Sequence, residues 1–71
     1  MTLQDFKAAY NDRFKQTVTY RNKEGETLKG LLITFVWLNV SGEPFICVNN
    51  DVTSIPVKDV IALKTTDTPW Y

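Results

Sequence analysis

Few side chains in this sequence could do chemistry, and their types limit what that chemistry could be. There is no histidine, so neither a His-based nucleophile triad nor an imidazole zinc ligand can be built. The one cysteine, Cys47, lies between Ile46 and Val48 in an apolar run, where a thiol is normally inert packing. Asp51 and Asp59 could approach each other if the chain turns back between them, but two loop acids are a weak basis for proton transfer or metal binding. No glycine-rich phosphate loop is present, and Asn39-Val40-Ser41 matches a glycosylation acceptor only by composition. These residues describe a protein that is not an enzyme and needs no cofactor or metal.

The cations are Lys7, Arg13, Lys15, Arg21, Lys23, Lys29, Lys58 and Lys64, interleaved with acids so that 8 Lys plus Arg meet 8 Asp plus Glu. A net charge of zero excludes a polycation wrapped on nucleic acid and a basic membrane-surface peptide. Apolar residues at 44% and aromatic residues at 13% exclude a disordered chain. The longest apolar stretch, Leu31 to Leu38, falls well short of the roughly 20 residues of a membrane helix. The start, Met1-Thr2-Leu3-Gln4-Asp5, does not read as a signal peptide. A lone cysteine cannot form an internal bridge, which points to a reducing, cytoplasmic setting.

The elements that must hold these side chains follow from periodicity. Leu3, Phe6, Tyr10 and Phe14 recur at helical spacing, and Thr2 can cap the start with Asp5 in the first turn, which predicts a helix over 2–14. The period then changes to 2. Val18 and Tyr20 share a strand face, and Asn22-Lys23-Glu24-Gly25 is a turn. A long strand runs from near Glu26 to about Val40, followed by the turn Ser41-Gly42-Glu43-Pro44 and the strand Phe45–Val48. After Asn49-Asn50-Asp51 comes a short strand ended by Pro56, then a tight turn at Val57-Lys58-Asp59 and a last strand from Val60. One helix and five short strands describe a single, mainly β domain: a small, strongly bent five-stranded barrel over 16–65 with a C-terminal tail over 66–71.

The stretch Gly25-Glu26-Thr27-Leu28-Lys29-Gly30-Leu31-Leu32-Ile33-Thr34-Phe35 resembles the first motif of the Sm-like family of small barrels, through Gly25, Gly30, Leu32 and Phe35. The layout is more loosely similar to SH3-type barrels. The resemblance implies the barrel scaffold and, in Sm-like proteins, RNA binding; Arg21, Lys29, Asn39 and Lys58 would then be the contacts. The sequence departs from the family at the base-holding positions. Val36 stands where the family has Asp, Asn39 sits one residue short of the family's Asn, and Lys58-Asp59 replaces Arg-Gly.

Two features point to partners. In the strand Leu31–Leu38 both alternating faces are apolar, so Leu31, Ile33, Phe35 and Trp37 on one face need cover from the N-terminal helix, from a second chain, or from both. Trp70 and Tyr71 close the tail as a second set of interface anchors. A core this small supplies only about 3–5 kcal/mol, which also favours association. The leading expectation is therefore a non-enzymatic interaction module forming a homo-oligomer or binding another protein through Ile33, Phe35, Trp37, Trp70 and Tyr71. The Sm-like RNA binder is the runner-up.

Overall fold

The N-terminal helix is shorter than its apolar stripe predicts. In the computed structural model, which describes residues 1–37 and 42–70, helix α1 covers only Leu3–Ala9. Thr2 caps it as expected, its Oγ1 accepting from the Asp5 N–H at 3.1 Å. The stop is made by side chains that take over backbone groups a further turn would have bonded. The Arg13 N–H donates to Asn11 Oδ1 at 2.9 Å, and the Asn11 N–H donates to Gln16 Oε1 at 3.0 Å. Gln16 Nε2 donates to the Ala9 carbonyl at 2.9 Å. Phe14 therefore opens the first strand instead of closing a helix over 2–14.

The strands are β1 (Phe14–Arg21), β2 (Thr27–Val36), β3 (Phe45–Val48), β4 (Asp51–Pro56) and β5 (Val60–Pro69), with a 3-10 turn over Val57–Asp59. They form one antiparallel sheet in the order β4-β3-β2-β1-β5. The sheet is not closed: β4 and β5 are its two edges. Residues 66–69, expected as tail, belong to β5, with Pro69 opposite Phe14 and the Trp70 N–H donating to the Arg13 carbonyl at 3.1 Å. No helix among the described residues is long and apolar enough to cross a membrane.

The β1–β2 turn is organised by Asn22, whose Oδ1 accepts from the N–H groups of Glu24 (3.0 Å) and Glu26 (2.8 Å). Gly25 takes φ +82°, a conformation that favours glycine. Gly30 leaves room for a neighbouring side chain. A Cβ there would run into Asn50 Oδ1, and the same Asn50 donates from Nδ2 to the Lys29 carbonyl at 2.8 Å. Its neighbour Asn49 accepts from the Leu31 N–H at 2.9 Å and donates its own N–H to the Leu31 carbonyl at 3.0 Å. The turn after β3 is thereby tied to the middle of β2.

Alternation puts Val18 and Tyr20 of β1 inside, together with Ile46 and Val48 of β3 and Leu32 of β2. Phe6 from α1, Ile55 from β4, Val57 from the turn and Val60 from β5 complete one buried cluster. Elements from both ends of the sheet thus feed a single core. Each such side chain contributes about 1.5–3 kcal/mol when fully buried.

Strand β2 does not keep one face throughout. Leu32 lies opposite Val48 but Thr34 lies opposite Cys47, so β2 has one residue more than β3 between those rungs. A one-residue bulge exchanges the two faces of a strand. Upstream the even-numbered Leu32 is buried, whereas downstream the odd-numbered Phe35 packs on the core and Thr34 is exposed. Ile33 and Phe35 therefore do not share the one face expected of them, and Trp37, just past the end of β2, is half-exposed.

Candidate functional site

The helix brings Phe6 and Tyr10 over the far half of β2. The Phe35 ring meets Phe6 edge-on at 4.6 Å between centroids and Tyr10 at 5.1 Å. Phe6 and Tyr10 stack more loosely at 6.4 Å. The helix covers Phe35 and stops there. Ile33 and Trp37 each keep 51% of their surface exposed, and Tyr10 and Trp70 keep 39%. Tyr10, Ile33 and Trp70, but not Trp37, line a groove of about 340 Å³ together with Asp12, Phe14, Gln16 and others. A second hollow, lined by Asp12, Arg13, Phe14 and Pro69, adjoins it.

Two lysines lie on the tryptophans of this surface. Lys7 Nζ sits 4.0 Å from the centre of the Trp37 ring and Lys15 Nζ 5.5 Å from that of Trp70. Such contacts are worth about 0.5–1 kcal/mol at exposed sites, enough to orient a ring without burying it. The residues expected to make contacts are thus split. Ile33 and Trp70 meet at the groove, Trp37 stands beside α1, Phe35 forms part of the core, and Tyr71 lies outside the described residues.

Of the residues expected to contact RNA, two lie close together. Arg21 and Lys29 are diagonal neighbours on the β1–β2 ladder, where Arg21 is opposite Thr27 and Thr19 opposite Lys29. Lys58 stands on the 3-10 turn, 3.4 Å from Glu43 Oε2, in an ion pair so exposed that it contributes little. Asn39 lies outside the described residues.

A smaller cavity of about 140 Å³ lies where β4 approaches the end of β1, and it has both Asp51 and Asp59 in its lining. The Tyr20 hydroxyl donates to Asp51 Oδ2 at 3.2 Å, linking β1 to β4. Asp51 Oδ1 accepts from the Thr53 N–H at 2.9 Å and from its hydroxyl at 2.6 Å. The Thr53 bonds, with a smaller share from Tyr20, hold the Asp51 carboxyl below its usual value. Burial, followed by the Asp51 hydrogen bond and charge, pushes the Tyr20 phenol up. Among the described residues no group of three or more His, Cys, Asp and Glu could hold a metal.

A pH dependence follows. A depressed carboxyl adds stability that is present above its unfolded value of about 3.9 and is lost as pH falls through the lower folded value. A raised phenol adds stability that is present below its unfolded value of about 10 and is lost as pH rises through the higher folded value. The melting temperature should therefore fall at both extremes. In Asp51→Asn the share of the acid fall due to this carboxylate should disappear; an acid limb identical to the wild type would show that the Thr53 and Tyr20 bonds are not made in solution.

Sequence reasoning missed Gln16, Asn49, Asn50 and Thr53 as organisers. A signal existed for Gln16, because it occupies the inward register of Val18 and Tyr20, and an inward polar residue needs partners. Comparisons with protein-family models, with curated proteins and with solved structures return no match for this chain.

Proposed function

We propose that the chain is a non-enzymatic interaction module of the cytoplasm, a strongly bent small barrel of Sm-like or SH3-like type that self-associates. The reading rests on one observation. Of the six large hydrophobic residues exposed among the described residues, four (Tyr10, Ile33, Trp37 and Trp70) border α1 and the groove. Aromatic side chains held half-open around a concave surface are typical anchors of protein interfaces. The barrel reading is supported by the shared core, to which both sheet edges contribute through Ile55 and Val60. The RNA reading has less behind it, since the chain carries no net positive charge and Lys58 is paired with Glu43.

The test is the solution mass of the full chain by sedimentation equilibrium at micromolar concentration. A mass that rises with concentration above 8.2 kDa is expected. A monomer throughout, together with a salt-sensitive gel shift on oligo-U or oligo-A RNA, would transfer the assignment to an RNA binder.

A further inference from the structure

We infer that the groove at the end of α1 is a binding site for a small organic ammonium ion, held by the rings of Tyr10, Phe14 and Trp70 and the carboxylate of Asp12. This goes beyond the self-association reading, because it concerns what enters the groove whatever the oligomeric state of the chain.

The fold gathers these four residues from both ends of the chain. Tyr10 caps the end of α1, Asp12 lies in the link to β1, Phe14 opens β1 and Trp70 follows β5. The Phe14–Pro69 pairing and the Trp70 N–H bond to the Arg13 carbonyl bring the last of them to the other three. All four line the groove, and Leu32 and Ile33 of β2 add an apolar wall. Gln16 also lines it, but its amide is already engaged with Asn11, Ala9 and Thr65. At about 340 Å³ the space lies near the lower end of the roughly 300–1,000 Å³ of small-ligand pockets, which suits a small molecule.

The charge of the lining selects a cation. Among the described residues the Asp12 carboxylate is the one formal charge in the groove wall, and it makes no hydrogen bond or ion pair there. Aromatic rings present negative faces that add to its pull on a cation. One of these rings already holds an ammonium: Lys15 Nζ lies 5.5 Å from the centre of Trp70. Lys15 stands between Phe14 and Gln16 on β1, so strand alternation sends it off the side opposite the groove, and it leaves the groove itself open. Arg13 lines the adjoining hollow and not the groove. Leu32 and Ile33 then decide which cation fits. A metal ion would lose its hydration against them, whereas an alkylated ammonium brings apolar surface of its own.

The experiment titrates choline chloride into the isotope-labelled full chain at constant ionic strength, followed by nuclear magnetic resonance. The comparisons are the neutral alcohol in which carbon replaces the choline nitrogen, and sodium acetate. Choline should shift the Trp70 indole signal and the Asp12 and Ile33 amide signals saturably, and should bind at least about threefold tighter than the alcohol. Asp12→Asn and Trp70→Leu should each weaken choline binding at least about threefold; both residues are exposed, so circular dichroism should report a native fold. Equal binding of choline and the alcohol, or variants that bind choline like the wild type, would overturn the inference. So would acetate shifting these signals in place of choline, or no shift with choline up to about 50 mM. Sedimentation on the same samples separates the two readings. A monomer that binds choline upholds this site while self-association fails, and an oligomer indifferent to choline does the reverse.

Discussion

Phe6→Ala is expected to leave the chain largely unfolded at room temperature. Phe6 is the buried residue of α1, with none of its surface exposed, and its ring is the centre on which Phe35 and Tyr10 pack. Removing a buried Phe typically costs about 3–5 kcal/mol. A domain of this size has only about 3–5 kcal/mol to lose, and no disulfide supplements it, since Cys47 is a free thiol. Phe6→Leu keeps most of the volume and should cost under about 1.5 kcal/mol. Urea unfolding followed by far- and near-ultraviolet circular dichroism separates the two. A cooperative transition in Phe6→Ala with a midpoint close to the wild type would mean that α1 is not part of the core. The same loss would reach the groove, because Tyr10 and Phe35 are held by that ring.

What could be read in advance divides along a physical line. Features set by neighbours in sequence were legible: the Thr2 cap, the Asn22–Gly25 turn, the inward pair Val18 and Tyr20, and the 3-10 turn after Pro56. Features set by distant partners were not. The helix ends at Ala9 because Gln16, seven residues on, supplies the donor for its carbonyl. The period of Leu3, Phe6, Tyr10 and Phe14 carries no trace of that bond. The β2 bulge likewise depends on how β3 pairs, and it changed which of the strand's apolar residues are covered. Phe35 packs against the core while Ile33, at the bulge, stays open. The last residues looked like a tail because their partners, Phe14 and Arg13, lie at the other end of the chain. The candidate surface was thus legible as a set of residue types, but its shape was not.

Gln16 is where the second large effect is expected. It is 1% exposed and makes three hydrogen bonds, accepting from the Asn11 N–H and donating to the Ala9 carbonyl and to Thr65 Oγ1 at 2.9 Å. Gln16→Leu preserves much of the volume but leaves those three groups to find new partners. Thr65 is exposed and water can replace its bond, but the Ala9 carbonyl and the Asn11 N–H belong to half-buried residues. A shielded group left unpaired costs about 1–3 kcal/mol, and for a domain this small each kcal/mol is about 4–8 °C in melting temperature. A drop of at least about 10 °C is expected, and a shift of a degree or two would mean that water satisfies the three groups as well as the side chain does. Gln16→Glu tests the donor directly. An ionised carboxylate would face the Ala9 carbonyl with no proton to offer, whereas the protonated acid restores an O–H donor at the same place. Burial without a cation raises the carboxyl pKa in the folded state above its unfolded value. The variant's folded state therefore binds a proton more tightly than its unfolded state, and it gains stability as pH falls through that raised value. This trend runs opposite to the one expected from Asp51, so the two are separable in one series of melts. If Gln16→Glu loses stability on mild acidification, the amide is not acting as a donor at the end of α1.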